Sequence, residues 1–522
     1  MIHHRVPQVR RRERAHRLPR LIATFSLSAL SVSTLVLTTS LETAGAADRT
    51  TDSRSPARYE VRVPGPDSDV VEVQATFVLE SDVIGMVVHS SAELPNGEAD
   101  LLEQLEVRDE RGQALEVESL GYGDWRVTNG SQGMAVQLSY RIRLEHDRYS
   151  WGPGIDEVAY RNDDGLFFTG GSLFVLPDAA LPSGARVHFD VPAGWTETLP
   201  WAIDPSNGDA IVPDGNGLLR NCFFLGTPRV EEVTLGDFAF VLVMTEGLKD
   251  KKALFVDAMR PILPEAKNIF GGMPKANRYL VVLSPSERTD GGAFANSYSM
   301  LLQGTVNQAS SVVWAHGIAH ELLHFWNGHT LVPATPTDEE WFKEGFTDYY
   351  TILLRSRLGM EPRETTFRKM EGCLRRYVLS KMLLGIEGSL REAGRDKHRN
   401  RMFVYGGGTL VAFTLDVRIR EATENRHGLD DVMKQLYEQF ALAGRTYEFA
   451  DIVRVASEVS GTDQSAFLSE FVDGTGFLDA APYFESAGLQ LDSFADEFYV
   501  SDAPNAGTEQ AAIREAIFGK DR

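Results

Sequence analysis

His320-Glu321-Leu322-Leu323-His324 decides the reading, with Trp341-Phe342-Lys343-Glu344-Gly345-Phe346 close behind it. The first stretch is an H-E-x-x-H motif. Two histidines four residues apart lie on one face of a helix, so both imidazoles reach one metal. Glu321, between them, is placed to take a proton from an attacking water. Glu344 is the candidate third protein ligand. Three protein ligands leave a position open, which separates a catalytic zinc site from a structural one.

The flanking residues predict two helices. Ser310-Ser311 offers an N-cap, and Val312, Val313, Ile318, Ala319, Leu322, Leu323, Phe325 and Trp326 supply apolar residues before the stop at Asn327-Gly328. A second helix is expected from Asp338 to about Leu354, opened by acidic residues. The Pro-containing loop 330–337 would fold it back so that Glu344 meets the histidines. Asp348 follows Glu344 by four residues on the same face, where it can accept a histidine N–H and fix the ring. His316 and His329 are expected as cap, surface or pocket residues, since three ligands suffice.

The chain has 522 residues, 43% hydrophobic and 24% charged, which fits two or three folded domains and excludes wholesale disorder. Its net charge of −22 disfavours nucleic acid and anionic membranes as partners. The N-terminus is opposite in character: Arg5, Arg10, Arg11, Arg12, Arg14, Arg17 and Arg20, then an apolar stretch 21–37, then Ala44-Gly45-Ala46. This order predicts a secretory signal over 1–46 and a secreted or periplasmic protein. The other reading is an uncleaved membrane anchor. Two cysteines, Cys222 and Cys373, exclude a disulfide framework, and whether they pair stays open.

Beyond a linker at 47–57, residues 58–246 alternate polar and apolar in short segments (59–63, 71–77, 133–140, 186–191). They predict an all-β, sandwich-like domain. Residues 247–360 hold a helix broken near Pro261 and Pro264, a buried strand at 278–283, a glycine turn into an edge strand at 291–300, and the two motif helices. Residues 361–492 read as a helical domain, and 493–522 as an acidic tail with a short helical end. The fold class is therefore α+β and multidomain.

These residues resemble the glycyl aminopeptidase family of gluzincin zinc metallopeptidases. The resemblance rests on His320 to Asn327, Trp341 to Tyr350, Tyr405-Gly406-Gly407-Gly408, Leu415 to Arg420 and Leu429 to Met433. It implies a thermolysin-like catalytic domain, one Zn²⁺ on His320, His324 and Glu344, and Glu321 as general base. It also implies Tyr405 as the hydroxyl that meets the oxyanion, a peptide or protein substrate, and a pocket between the catalytic and helical domains. The backbone of Gly291, Gly292 and Ala293 would hold the substrate. The clan's aminopeptidases carry a glutamate just after this glycine pair, which grips the substrate's free amine. Here Ala293-Phe294-Ala295-Asn296 follows the pair, and Asp290 precedes it. Aminopeptidase and endopeptidase action both stay open, as does a zinc-retaining, peptide-binding pseudo-peptidase. The family's C-terminal PDZ domain is not expected after Leu491.

Overall fold

The computed structural model describes residues 56–520 except Pro153, 178–180 and Pro182. The expected signal segment, 1–46, and most of the expected linker lie outside the described residues. The remainder is an α+β, multidomain protein: a β-rich N-terminal domain, a central domain with a mixed sheet, and a helical C-terminal region.

The β domain is built on an eight-stranded sheet. Ala57–Arg62, Val70–Val78, Ala135–Arg143 and Ala185–Asp190 coincide with the alternating segments, and Ala57–Arg62 buries every second residue. One face of this sheet is therefore core and the other solvent. Gly165–Thr169 and Cys222–Gly226 are different: both are buried throughout.

The central sheet has five strands in the order 229–235, 238–244, 278–285, 297–302, 290–293. Phe238–Met244 runs parallel to Arg278–Pro285, which runs parallel to Ser297–Leu302. Alternate residues of the two inner strands feed two different cores. Phe240, Leu242, Tyr279 and Val281 face the helices, while Val241, Val243, Leu280 and Val282 join the core of the β domain. Burial on both faces explains why these strands read as unbroken apolar runs.

Four expectations need correction. Strands 229–235 and 238–244 belong to the central sheet rather than to the β domain, because Phe238–Met244 pairs with Arg278–Pro285. Residues 291–300 form a hairpin, Asp290–Ala293 with Ser297–Leu302, whose first strand is the sheet edge. Pro264 does not break a helix: the chain breaks between Lys252–Met259 and Ile262–Phe270, and Pro264 sits in the second helix's first turn, where its missing N–H costs nothing. The described part of the last stretch, 493–520, is folded rather than a tail, and its expected helical end is present. Leu489–Phe494 and Glu497–Asp502 form a hairpin, and Thr508–Phe518 is a helix that buries Ile513, Ile517 and Phe518. Charge suggested a tail, but these three apolar residues share one helical face, and Ser356 and Arg357 donate to the carbonyls of Phe518 and Ile517.

Candidate metal and catalytic site

The helix Ser311–His324 carries the motif, and Glu340–Arg357 carries Glu344. Ser310 precedes the first helix but does not cap it; its hydroxyl donates to the Thr305 carbonyl instead. The second helix starts two residues later than expected, after a 3-10 turn at Pro336–Glu339. The acidic residues of that turn are spent on the helical region: Asp338 pairs with Arg395, and Glu339 with Arg391.

The two helices bring three ligand atoms together. His320 Nε2 and His324 Nε2 lie 3.1 Å apart. Glu344 Oε2 is 3.3 Å from the first and 3.2 Å from the second. All three side chains are buried. The opposite ring nitrogens are engaged: His320 Nδ1 lies 3.2 Å from Asp348 Oδ1, and His324 Nδ1 lies 3.0 Å from the Asn327 carbonyl. A carbonyl or carboxylate can only accept, so each Nδ1 carries a proton and, in the neutral ring, each Nε2 turns a lone pair inward. Two lone pairs and a carboxylate oxygen thus converge with no donor between them. A divalent cation such as zinc fits this set of donors.

The electrostatics agree. Burial works against a charged His320, yet hydrogen bonds to Asp348 and Glu344 outweigh it and push the pKa up to about 10 when no cation is bound. The carboxylates thus call for one positive charge at Nε2, a proton or a metal ion in its place, and the lone pair faces inward only when the metal takes that place. Burial likewise opposes ionisation of Glu344, but Lys343 and the two histidines hold it well below the usual carboxylate range. Its outer oxygen, Oε1, accepts from Lys397 at 2.8 Å. Asp348 also receives His316 Nε2 at 3.2 Å, so His316 is a pocket residue that shares Asp348 with His320.

A cavity of about 380 Å³ opens beside these groups, lined by His320, Glu321, Asp348 and Tyr405 with Arg376 and Arg401. It lies between the motif helices and the helical region, where the sequence placed it. Tyr405 comes from the long helix Lys397–Ala422, which has one non-helical residue at Asn400. Its ring stacks on His320 with centroids 5.9 Å apart. Burial and the charges of Glu344 and Glu321 push its pKa far up, so the phenol keeps its O–H. The glycines after it have a steric cause: a Cβ on Gly408 would collide with the Trp341 carbonyl, and one on Gly406 would lie 2.8 Å from the Cys373 carbonyl.

Gly291, Gly292 and Ala293 sit on the sheet edge, as expected, but do not line this cavity. A Cβ on Gly291 would lie 3.3 Å from the Tyr298 hydroxyl. Under the glycine pair lies a cluster that the sequence did not predict. Asp156, from the β domain, is fully buried with both carboxylate oxygens unpartnered. A Cβ on Gly292 would lie 3.0 Å from its Oδ2; one on Gly154 would collide with its Oδ1 and lie 2.6 Å from Asp290 Oδ2. Burial, then Asp290 and Glu157, push the Asp156 pKa up to about 8. The native state therefore keeps a proton that the unfolded chain, with a pKa of about 3.9, has released. Stability falls as pH rises through that window and levels off above it. Asp156→Asn is expected to flatten this fall. Thermal melts from pH 5 to 8.5 check it, and parallel profiles for the two proteins would refute it.

Two family profiles match the chain: the peptidase M61 N-terminal domain over residues 58–200, and M61 glycyl aminopeptidase over 314–383. The chain thus matches models of both the N-terminal domain and the catalytic domain of the M61 family. The M61 catalytic match takes in His320, Glu321, His324, Glu344 and Asp348 and ends before Tyr405. Among solved structures, an aminopeptidase N family protein from Idiomarina loihiensis shares the fold at TM-score 0.66 and 17% identity, over 84% of this chain and 79% of that one. An M1 zinc metallopeptidase from Deinococcus radiodurans does so at TM-score 0.53 and 16% identity, over 81% and 94%. No curated protein matches.

Two contacts around the three ligands escape the sequence reading. Asn327 was read as a helix stop, but its side-chain amide also donates to the carbonyls of Phe342 and Lys343 and to Thr347 Oγ1, tying the two motif helices together. Lys397 reaches Glu344 across 53 residues of sequence, and no local pattern marks it. Cys222 and Cys373 are free and buried, and burial pushes each thiol up to about 12.

Proposed function

We propose that this protein is an exported zinc peptidase that hydrolyses peptide bonds at the cavity beside His320 and His324. The observation that carries the reading is the convergence of two histidine lone pairs and Glu344 Oε2, with Glu321 and Tyr405 lining the same cavity. His320, His324 and Glu344 would hold the zinc ion, which would supply a Lewis acid for water and the scissile carbonyl. Glu321 takes the proton of the attacking water and returns it to the leaving amine. Tyr405, held protonated, donates its hydroxyl to the oxyanion of the tetrahedral intermediate. Asp348 keeps His320 in the required tautomer. The edge strand Asp290–Ala293, exposed at Asp290 and Gly291, pairs with an extended peptide as an added strand.

The substrate's free amine is held by Asp290, in place of the glutamate that the glycine pair lacks. The support is the exposed position of Asp290 at the start of the edge strand, next to that pair. A Deinococcus radiodurans M1 variant solved with a Tyr-Ser-Ala substrate supports short peptides as the class.

Zinc content and hydrolysis of free and N-acetylated tripeptides by the protein without residues 1–46 test the reading. About one zinc per chain is expected, with the free peptide cut at least tenfold faster in kcat/KM, about 1.4 kcal/mol of transition-state binding. Equal rates would make it an endopeptidase. A zinc-loaded protein that cuts nothing across a broad peptide set would be a peptide-binding pseudo-peptidase.

A further inference from the structure

Arg376 and Arg401 line the catalytic cavity, and the chemistry above uses neither. Arg376 comes from the helix Arg363–Val378, Arg401 from the start of the straight part of Lys397–Ala422. Arg376 gives one N–H to Asp348 Oδ2, at 3.4 Å. Arg401 makes no hydrogen bond or ion pair among the described residues; its guanidinium lies 5.4 Å from the Tyr405 ring centroid. Arg395 pairs with Asp338, and Arg391 with Asp338, Glu339 and Asp473, whereas Arg399 and Arg401 have no such partner among the described residues; of the last two, only Arg401 lines the cavity. Of the two carboxylates lining the cavity, Asp348 is already shared among His316, His320 and Arg376, and Glu321 carries the catalytic proton.

We propose that Arg376 and Arg401 form a carboxylate-binding subsite beside the catalytic centre, which selects peptides carrying a carboxylate within a residue or two of the scissile bond. The guanidinium is a planar fork of donors that matches a carboxylate, and hydrogen bonds between charged partners are the strong ones. The cavity, about 380 Å³, lies at the small end of ligand pockets, roughly 300–1,000 Å³. A carboxylate reaching these arginines therefore lies close to the bond being cut. In a protein that repels anions at long range, two local cations supply the attraction. The carboxylate is either the C-terminus of a short peptide or an Asp or Glu side chain.

The inference rests on the peptidase reading, but its test needs no turnover. In a Glu321→Gln background, calorimetry compares zinc-loaded protein binding tri-alanine acid, tri-alanine amide, and the amide with Asp as its last residue. The acid is expected to bind about tenfold tighter than the plain amide. Adding Arg401→Gln brings the acid down to the amide's level, and Arg401→Lys keeps part of the difference. If the Asp amide matches the acid, a side chain serves; if only the acid binds tightly, the subsite reads the C-terminus. Equal binding of all three peptides, or an equal loss for all three in Arg401→Gln, overturns the subsite. Failure of the wild type to hydrolyse any peptide would sink the peptidase reading and leave this comparison intact.

Discussion

Glu321→Gln is expected to lower kcat for peptide hydrolysis by roughly a thousandfold, within the range for loss of a general base, while zinc content stays at the wild-type level. The glutamine keeps the volume and the polar contacts of the side chain but cannot hold a proton at neutral pH. Glu321 lines the cavity and is outside the group of three converging ligand atoms, so the metal set is untouched. Peptide hydrolysis and zinc analysis on one preparation check both halves. Turnover within tenfold of wild type would remove Glu321 from the mechanism. Loss of zinc would make it part of the metal site.

Gly345→Ala is expected to cost about 3 kcal/mol or more of stability, at the upper end of overpacking effects. The added methyl would collide with Cα and C of Gly408 and lie 2.7 Å from Thr409 N. All three are backbone atoms, so no side-chain rotation relieves the overlap. The two helices must part, and one carries Glu344, the other Tyr405. A lower melting temperature and weaker zinc retention should appear together. Gly372→Ala is the control: nothing lies within 4 Å of its Cβ. There an alanine in a helix should stabilise by about 0.5–1 kcal/mol. Similar melting temperatures for the two variants would refute the clash.

The parts of the site that the sequence revealed are the local ones. His320 and His324, or Glu344 and Asp348, need only the helical repeat to share a face, and the structure brings all four together. The strand at 278–285 announced itself by an apolar run. What stayed hidden depends on segments far apart in the chain. Asp156 approaches Gly292 from the β domain, and Arg376 and Arg401 meet the cavity from two helices of the C-terminal region. No spacing in the sequence encodes those meetings. The strands 229–235 and 238–244 were assigned to the wrong domain for a related reason: alternation shows that a segment is a strand and is silent about its partner. The charge of 493–520 suggests a tail, and only its helical end is legible; that Ile513, Ile517 and Phe518 pack inward depends on a helix some 160 residues earlier.

Phe238–Met244 and Arg278–Pro285 are shared walls. A chain cut ahead of residue 229 would leave Val241, Val243, Leu280 and Val282 facing water as one greasy slab. The catalytic half is therefore not a portable module that can be expressed or inherited on its own. The two halves should melt in a single step, and a substitution deep in the β domain can silence a reaction centre that it never touches.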